Sequence, residues 1–105
     1  MEQQEIEKQG IKAIVKIKTT EGKSYIGKLC RHFRHKIEAT YTDNTGYAVF
    51  PGGVCNMLAD AEFLTFEVEA NGAEGMEKIQ GALDRHLIKF AFREELVINW
   101  KMLPS

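Results

Sequence analysis

Apolar and polar positions alternate from Ile11 onward. Ile11, Ala13, Val15 and Ile17 are interleaved with Lys12, Lys16 and Lys18, and only Ile14 is out of step. A period of two predicts a strand with one buried face and one wet, basic face. After Thr20 the period changes. Tyr25, Ile26, Leu29, Cys30 and Phe33 recur at helical spacing, which predicts a helix capped by Thr20, with Glu21 at the positive end of its dipole. Gly22 and Gly27 weaken this helix, so tertiary packing must hold it. Short alternating runs follow at Ile37–Tyr41, Tyr47–Phe50, Val54–Leu58 and Phe63–Glu69. Asp43-Asn44-Thr45-Gly46, Pro51-Gly52-Gly53 and Asp60-Ala61-Glu62 punctuate them as turns, which predicts an antiparallel meander. Asn71 with Glu74 reads as a capping box opening a second helix, whose apolar stripe is Met76, Ile79, Leu83, Leu87 and Phe90. Leu96, Ile98, Trp100 and Met102 alternate with Val97, Asn99 and Lys101, which predicts a last strand.

The order β-α-β-β-β-β-α-β predicts an α+β fold: a two-layer sandwich of a mostly antiparallel sheet with both helices on one face. Residues 1–10 read as a polar leader and residues 11–105 as a single domain, with no linker, repeat or low-complexity stretch.

Composition narrows the functional classes. A content of 44% hydrophobic and 28% charged residues in a 105-residue chain is that of a globular domain rather than a disordered one. Fourteen Lys and Arg against fifteen Asp and Glu leave a net charge of −1, which argues against a dedicated nucleic-acid binder. No apolar run approaches the ~20 residues of a membrane span. Met1–Gln9 is polar and acidic, unlike a signal or transit peptide. These features predict a small cytoplasmic domain with no membrane association. Cys30 and Cys55 are then expected to be buried free thiols.

Candidate chemistry is sparse. Gly22-Lys23-Ser24 matches the end of a phosphate-binding loop, but Ile17 stands where the motif needs its first glycine. The histidines carry more. His32 and His35 lie three apart on the first helix, and His86 falls within the stripe of the second. A histidine on an apolar face is commonly a satisfied core residue. The other reading is that both helices present histidines to one pocket. His32, His35 and His86, with Cys30 beside them, would then supply ligands for zinc, iron or haem. Lys28, Arg31, Arg34, His35 and Lys36 concentrate positive charge, either as a solvated helix face or as a salt-sensitive anion site centred on Arg31.

Leu29-Cys30-Arg31-His32-Phe33-Arg34-His35-Lys36, then Cys55, then His86-Leu87-Ile88-Lys89-Phe90-Ala91-Phe92-Arg93-Glu94, and finally Ile98-Asn99-Trp100 resemble the small bacterial domain of unknown function 2218 family. The resemblance runs from about Ile11 to Lys101. It implies a domain that occurs alone or joined to siderophore-interacting, flavin-dependent ferric reductases, and hence a role near iron or siderophore handling. The polar residues of the shared strings are Arg31, His32, His35, Lys36, His86, Arg93 and Glu94. Arg31 and Lys36 suit a carboxylate-rich or catecholate ligand. Glu94 is expected to orient His32 or His86, or to pair with Arg31, and a structural ion-pair network accounts for the same residues. The expected function is an accessory binding module for an anionic or iron-bearing small molecule, with a siderophore-interacting flavin reductase as partner. A protein-interaction module docking through the basic helix and an enzyme using a histidine as general acid–base stand as alternatives. The sequence leaves ligand and cofactor open.

Overall fold

The computed structural model describes residues 10–104, so the leader read over residues 1–10 falls outside it except for Gly10. The elements are β1 (Ile11–Lys18), α1 (Gly22–Phe33), β2 (Glu38–Tyr41), β3 (Thr45–Phe50), β4 (Gly53–Ala59), β5 (Phe63–Ala70), α2 (Ala73–Phe90) and β6 (Lys101–Leu103). The strands form one six-stranded sheet in the order β2-β3-β4-β5-β1-β6, and every neighbouring pair is antiparallel. The fold is α+β, in the element order that the hydrophobic pattern predicts.

Register fixes where the core sits. Val15 lies opposite Phe66, Phe66 opposite Met57, and Met57 opposite Gly46. In the neighbouring row Ala13 lies opposite Val68, Val68 opposite Cys55, and Cys55 opposite Ala48. All of these residues share one sheet face and are buried. Both helices cover that face. A Cβ on Gly46 would stand 2.9 Å from Ile26 Cγ2 of α1, and one on Gly53 would stand 2.9 Å from Ile79 Cδ1 of α2. The predicted stripes supply the opposing layer: Tyr25, Ile26, Leu29, Cys30 and Phe33 from α1, and Met76, Ile79, Leu83 and Leu87 from α2. Phe90 is only half-buried, at the rim of that layer.

The helix starts differ from expectation. The N-cap of α1 is Glu21 rather than Thr20, and that of α2 is Gly72 rather than Asn71; neither makes a side-chain cap hydrogen bond. At α1 the hydroxyl of buried Thr19 accepts the Glu21 N–H at 3.1 Å, so the side chain next to the helix is already engaged one residue earlier. At α2 the Asn71 N–H donates to the Gly52 carbonyl at 2.8 Å, which ties the helix entrance to the β3–β4 turn. Gly46 belongs to β3 rather than to the preceding turn, and the left-handed backbone falls at Gly52, with φ +91°.

The last strand is also shorter than its alternation predicts. Only Lys101–Leu103 pairs with β1. Leu96, Ile98 and Trp100 pack on the core without sheet pairing: Trp100 stacks on Phe66 with ring centroids 6.4 Å apart, and its indole N–H donates to Asp84 Oδ1 of α2 at 3.0 Å. This segment closes the open end of the core beside β1.

Two glycines separate packing from conformation. A Cβ at Gly53 would collide with the Glu69 carbonyl and approach Ala70 Cα to 2.9 Å, both backbone atoms that cannot swing aside. Gly53→Ala is therefore expected to destabilise by about 1–3 kcal/mol. Gly72 has extended backbone and nothing within 4 Å of an added Cβ. Gly72→Ala meets no clash, and the entropy it removes from the unfolded chain offsets the poorer helix capping of Ala, so its stability should stay within about 1 kcal/mol of the native chain. Urea unfolding of the two variants checks the contrast.

Candidate functional site

The first helix ends in a way that gathers side chains. The Arg34 N–H donates to the Cys30 carbonyl at 3.0 Å, the His35 N–H to His32 at 3.3 Å, and the Lys36 and Ile37 N–H groups to Phe33 at 2.9 and 3.0 Å. The two three-residue bonds, from His35 and Lys36, wind the chain tightly past Phe33, so that His35, Lys36 and Ile37 return beside the last turn of α1. There they meet α2. The imidazoles of His32 and His86 lie against each other at a ring-centroid distance of 4.3 Å, with planes tilted by 48°. Phe33 stands edge-on to His86 at 5.5 Å and to Phe50 at 5.2 Å.

Together these residues line an open groove of about 430 Å³. Its floor is apolar, made by Phe33, Ile37, Phe50 and Ala82, and its polar groups are His32, His35, His86 and Lys36. No carboxylate and no side-chain hydroxyl lines it. Burial pushes the His86 imidazole below its ordinary pKa, and His32, Arg85 and Lys89 add to the same displacement by repulsion. The groove is thus ringed by positive or protonatable groups, with an aromatic bottom.

The remaining residues of the two family-like strings lie elsewhere. Arg31 points to a different side of α1, where its Nη1 donates to the Tyr41 hydroxyl at 3.2 Å. Arg93 is exposed, with its guanidinium 5.4 Å from the ring centre of Phe92. Glu94 neither orients a histidine nor pairs with Arg31. Its Oε2 accepts from the Thr19 hydroxyl at 2.8 Å and, at very short range, from the Tyr25 hydroxyl. The turn after α2, closed by the Glu94 N–H on the Ala91 carbonyl at 3.1 Å, carries this carboxylate to the β1–α1 junction. There it pins three separate parts of the chain. Burial, with the Glu94 carboxylate next in importance, pushes the Tyr25 phenol up to about 12.

Cys30 is fully buried on the sheet side of α1, its Sγ 3.9 Å from Met57 Sδ, and cannot reach the groove. Both cysteines are free thiols, and burial raises the pKa of each. Among the described residues no three His, Cys, Asp or Glu side chains come together as a metal-ligand set. Nor is any described helix long and apolar enough to cross a membrane. Sequence reasoning missed the groove floor: Ile37, Phe50 and Ala82 come from the α1–β2 turn, β3 and α2, whose convergence is tertiary. It also missed Thr19 and Tyr25 as the partners of Glu94, since nothing in their spacing marks a carboxylate 69 or more residues away.

Glu94→Ala leaves two hydroxyls without their acceptor and should cost about 1–3 kcal/mol, with Glu94→Gln costing less because one amide oxygen remains. Denaturant unfolding measures both. His86 generates a pH dependence of the opposite origin. Its pKa is depressed in the folded state, so below 6.5 the unfolded chain binds a proton that the folded chain resists. Stability should therefore fall as pH drops through and below 6.5. Urea unfolding from about pH 8 to pH 5.5 should show this limb in the native chain and a flatter one in His86→Gln. Equal slopes would remove His86 as its source.

A solved structure shows the same architecture. The NMR structure of PA4090 from Pseudomonas aeruginosa superimposes with a TM-score of 0.74 at 24% identity, covering 87% of this chain and 95% of that one. No curated protein matches the chain. A profile described as "Uncharacterized protein conserved in bacteria (DUF2218)" matches residues 15–101, a span that takes in both histidine-bearing strings and nearly every element of the sheet. The chain belongs to this family, the domain of unknown function 2218.

Proposed function

We propose that this domain is a cytoplasmic binding module for a small anionic molecule with an aromatic body, seated in the groove between the end of α1 and α2. The observation that carries this reading is the His32–His86 pair, 4.3 Å apart at the rim of an aromatic-floored groove that holds cations and no carboxylate. Phe33 and Phe50 offer faces and edges to a ring. Lys36 supplies a point charge, and His32, His35 and His86 supply donors for acidic oxygens. A catecholate, free or carrying ferric iron as cargo, has this chemistry, and so fits the iron and siderophore setting that the family resemblance implies. Docking on a siderophore-interacting flavin reductase through exposed Lys28, Arg34 and His35 of the basic segment is the partner reading that accompanies it. A histidine acid–base enzyme has less support. A half-buried His86 with a lowered pKa suits a base, but no groove residue is a nucleophile and no carboxylate orients the imidazole.

Titration with 2,3-dihydroxybenzoate, citrate and inorganic phosphate, followed by two-dimensional NMR at low salt, tests the reading. The aromatic acid should shift His32, Phe33, Phe50 and His86 and bind more tightly than citrate or phosphate. His86→Ala should weaken it about tenfold or more, the loss of one charge-assisted hydrogen bond and its packing. No response of these residues to the aromatic acid, or an equal response to citrate, would refute it.

A further inference from the structure

We propose that a second side of α1 holds a separate site for a phosphate-bearing ligand, built on Arg31, Tyr41 and Lys23. A groove of about 400 Å³ runs between α1 and the β2–β3 turn, lined by Lys23, Ser24, Arg31, Tyr41, Thr42 and Asp43, and it shares no lining residue with the histidine groove. Lys23, Gly27 and Arg31 follow one another at four-residue spacing and so lie along one helix face.

The guanidinium of Arg31 is held in place without being neutralised. Its Nη1 donates to the Tyr41 hydroxyl at 3.2 Å, and its Cζ lies 5.8 Å from the centre of the Tyr41 ring. A Cβ on Gly27 would stand 3.1 Å from that Nη1, so the guanidinium lies close over the bare backbone of the helix there. Among the described residues the ion pair present is Lys78 with Glu74, so neither Arg31 nor Lys23 has a carboxylate partner there. An arginine oriented by a tyrosine keeps its charge and its remaining N–H donors for a ligand.

The lining selects the ligand class. Two cations face one acid, Asp43, so the groove is net positive. The Thr42 hydroxyl is engaged by Thr45 at 2.6 Å, while Ser24 and Tyr41 retain hydroxyls to donate. An arginine fork, a lysine point charge and two hydroxyls suit the several charged oxygens of a phosphate group. Gly22-Lys23-Ser24 therefore contributes to an anion site by its position beside Arg31, and not as part of a nucleotide-binding loop.

Inorganic pyrophosphate is the probe, added to the full chain at low salt and followed by two-dimensional NMR. Saturable shifts are expected at Gly27, at the backbone and side-chain N–H of Arg31, and at Tyr41. Affinity should fall about tenfold or more in Arg31→Gln and Lys23→Gln, and largely vanish at 1 M salt, where screening is ~3 Å. Tyr41→Phe is the variant that keeps every charge. It removes the hydroxyl that orients the guanidinium, so it should also weaken binding, whereas diffuse attraction to a basic helix would be unaffected. His86→Ala should leave pyrophosphate binding unchanged. Native affinity in a folded Arg31→Gln or Tyr41→Phe variant would overturn the proposal. So would shifts confined to Arg34–Lys36, or no saturation.

Discussion

The structure depends on how closely α1 can lie against the sheet. A Cβ on Gly22 would come within 2.9 Å of the Ala59 Cβ, and one on Gly46 would meet Ile26, Met57 and Cys30 at 2.9–3.1 Å. These two contacts, near the start and along the length of the helix, fix its height and tilt. The helix ends are then determined. With α1 seated on small residues, its last turn arrives level with α2, and His32 faces His86. A core of larger residues at these points would lift the helix and part the imidazoles. Protein interiors have little slack to absorb such a change.

The same placement sorts the polar residues of α1 by direction. Adjacent residues on a helix point about 100° apart, so Arg31 and His32 serve different surfaces although they are neighbours in sequence. Arg31 is turned toward Tyr41 of β2, and His32 toward α2. One short string therefore supplies two grooves of contrasting character, one polar and hydroxyl-bearing, the other aromatic-floored. Glu94 has a third task, tying the turn after α2 to Thr19 and Tyr25. The proximity of Arg93, Glu94 and His86 in the chain is thus no guide to a common site.

The fold was largely legible because burial periodicity is a local property. Each stripe residue named on α1 is buried, and so are Met76, Ile79, Leu83 and Leu87 on α2. Alternation, however, reports exposure and not hydrogen bonding. Leu96, Ile98 and Trp100 alternate as a strand would, yet they bury their side chains without pairing until Lys101. The helix starts were misplaced for a related reason. Thr20 and Asn71 are good cap residues by type, but the backbone enters each helix one residue later. Of the candidate site, the meeting of His32 with His86 followed from their positions beside two stripes that must pack together. The partners of Glu94 and Arg31 did not, because a carboxylate or guanidinium at the end of a flexible stem finds its partner through tertiary structure.

The sheet order has a consequence for synthesis. β1 is flanked by β5 and β6, and Ile11 pairs with Ala70. A chain made from its N-terminus therefore exposes β1 before either neighbour exists, while the β2–β5 meander can close from consecutive segments. An unpaired apolar strand invites association with other chains. Lys12, Lys16 and Lys18 charge the wet side of β1 throughout that interval, and such residues act as gatekeepers against edge-to-edge pairing. The basic face that marks β1 in the finished sheet is also what keeps it solvated while it waits for β5.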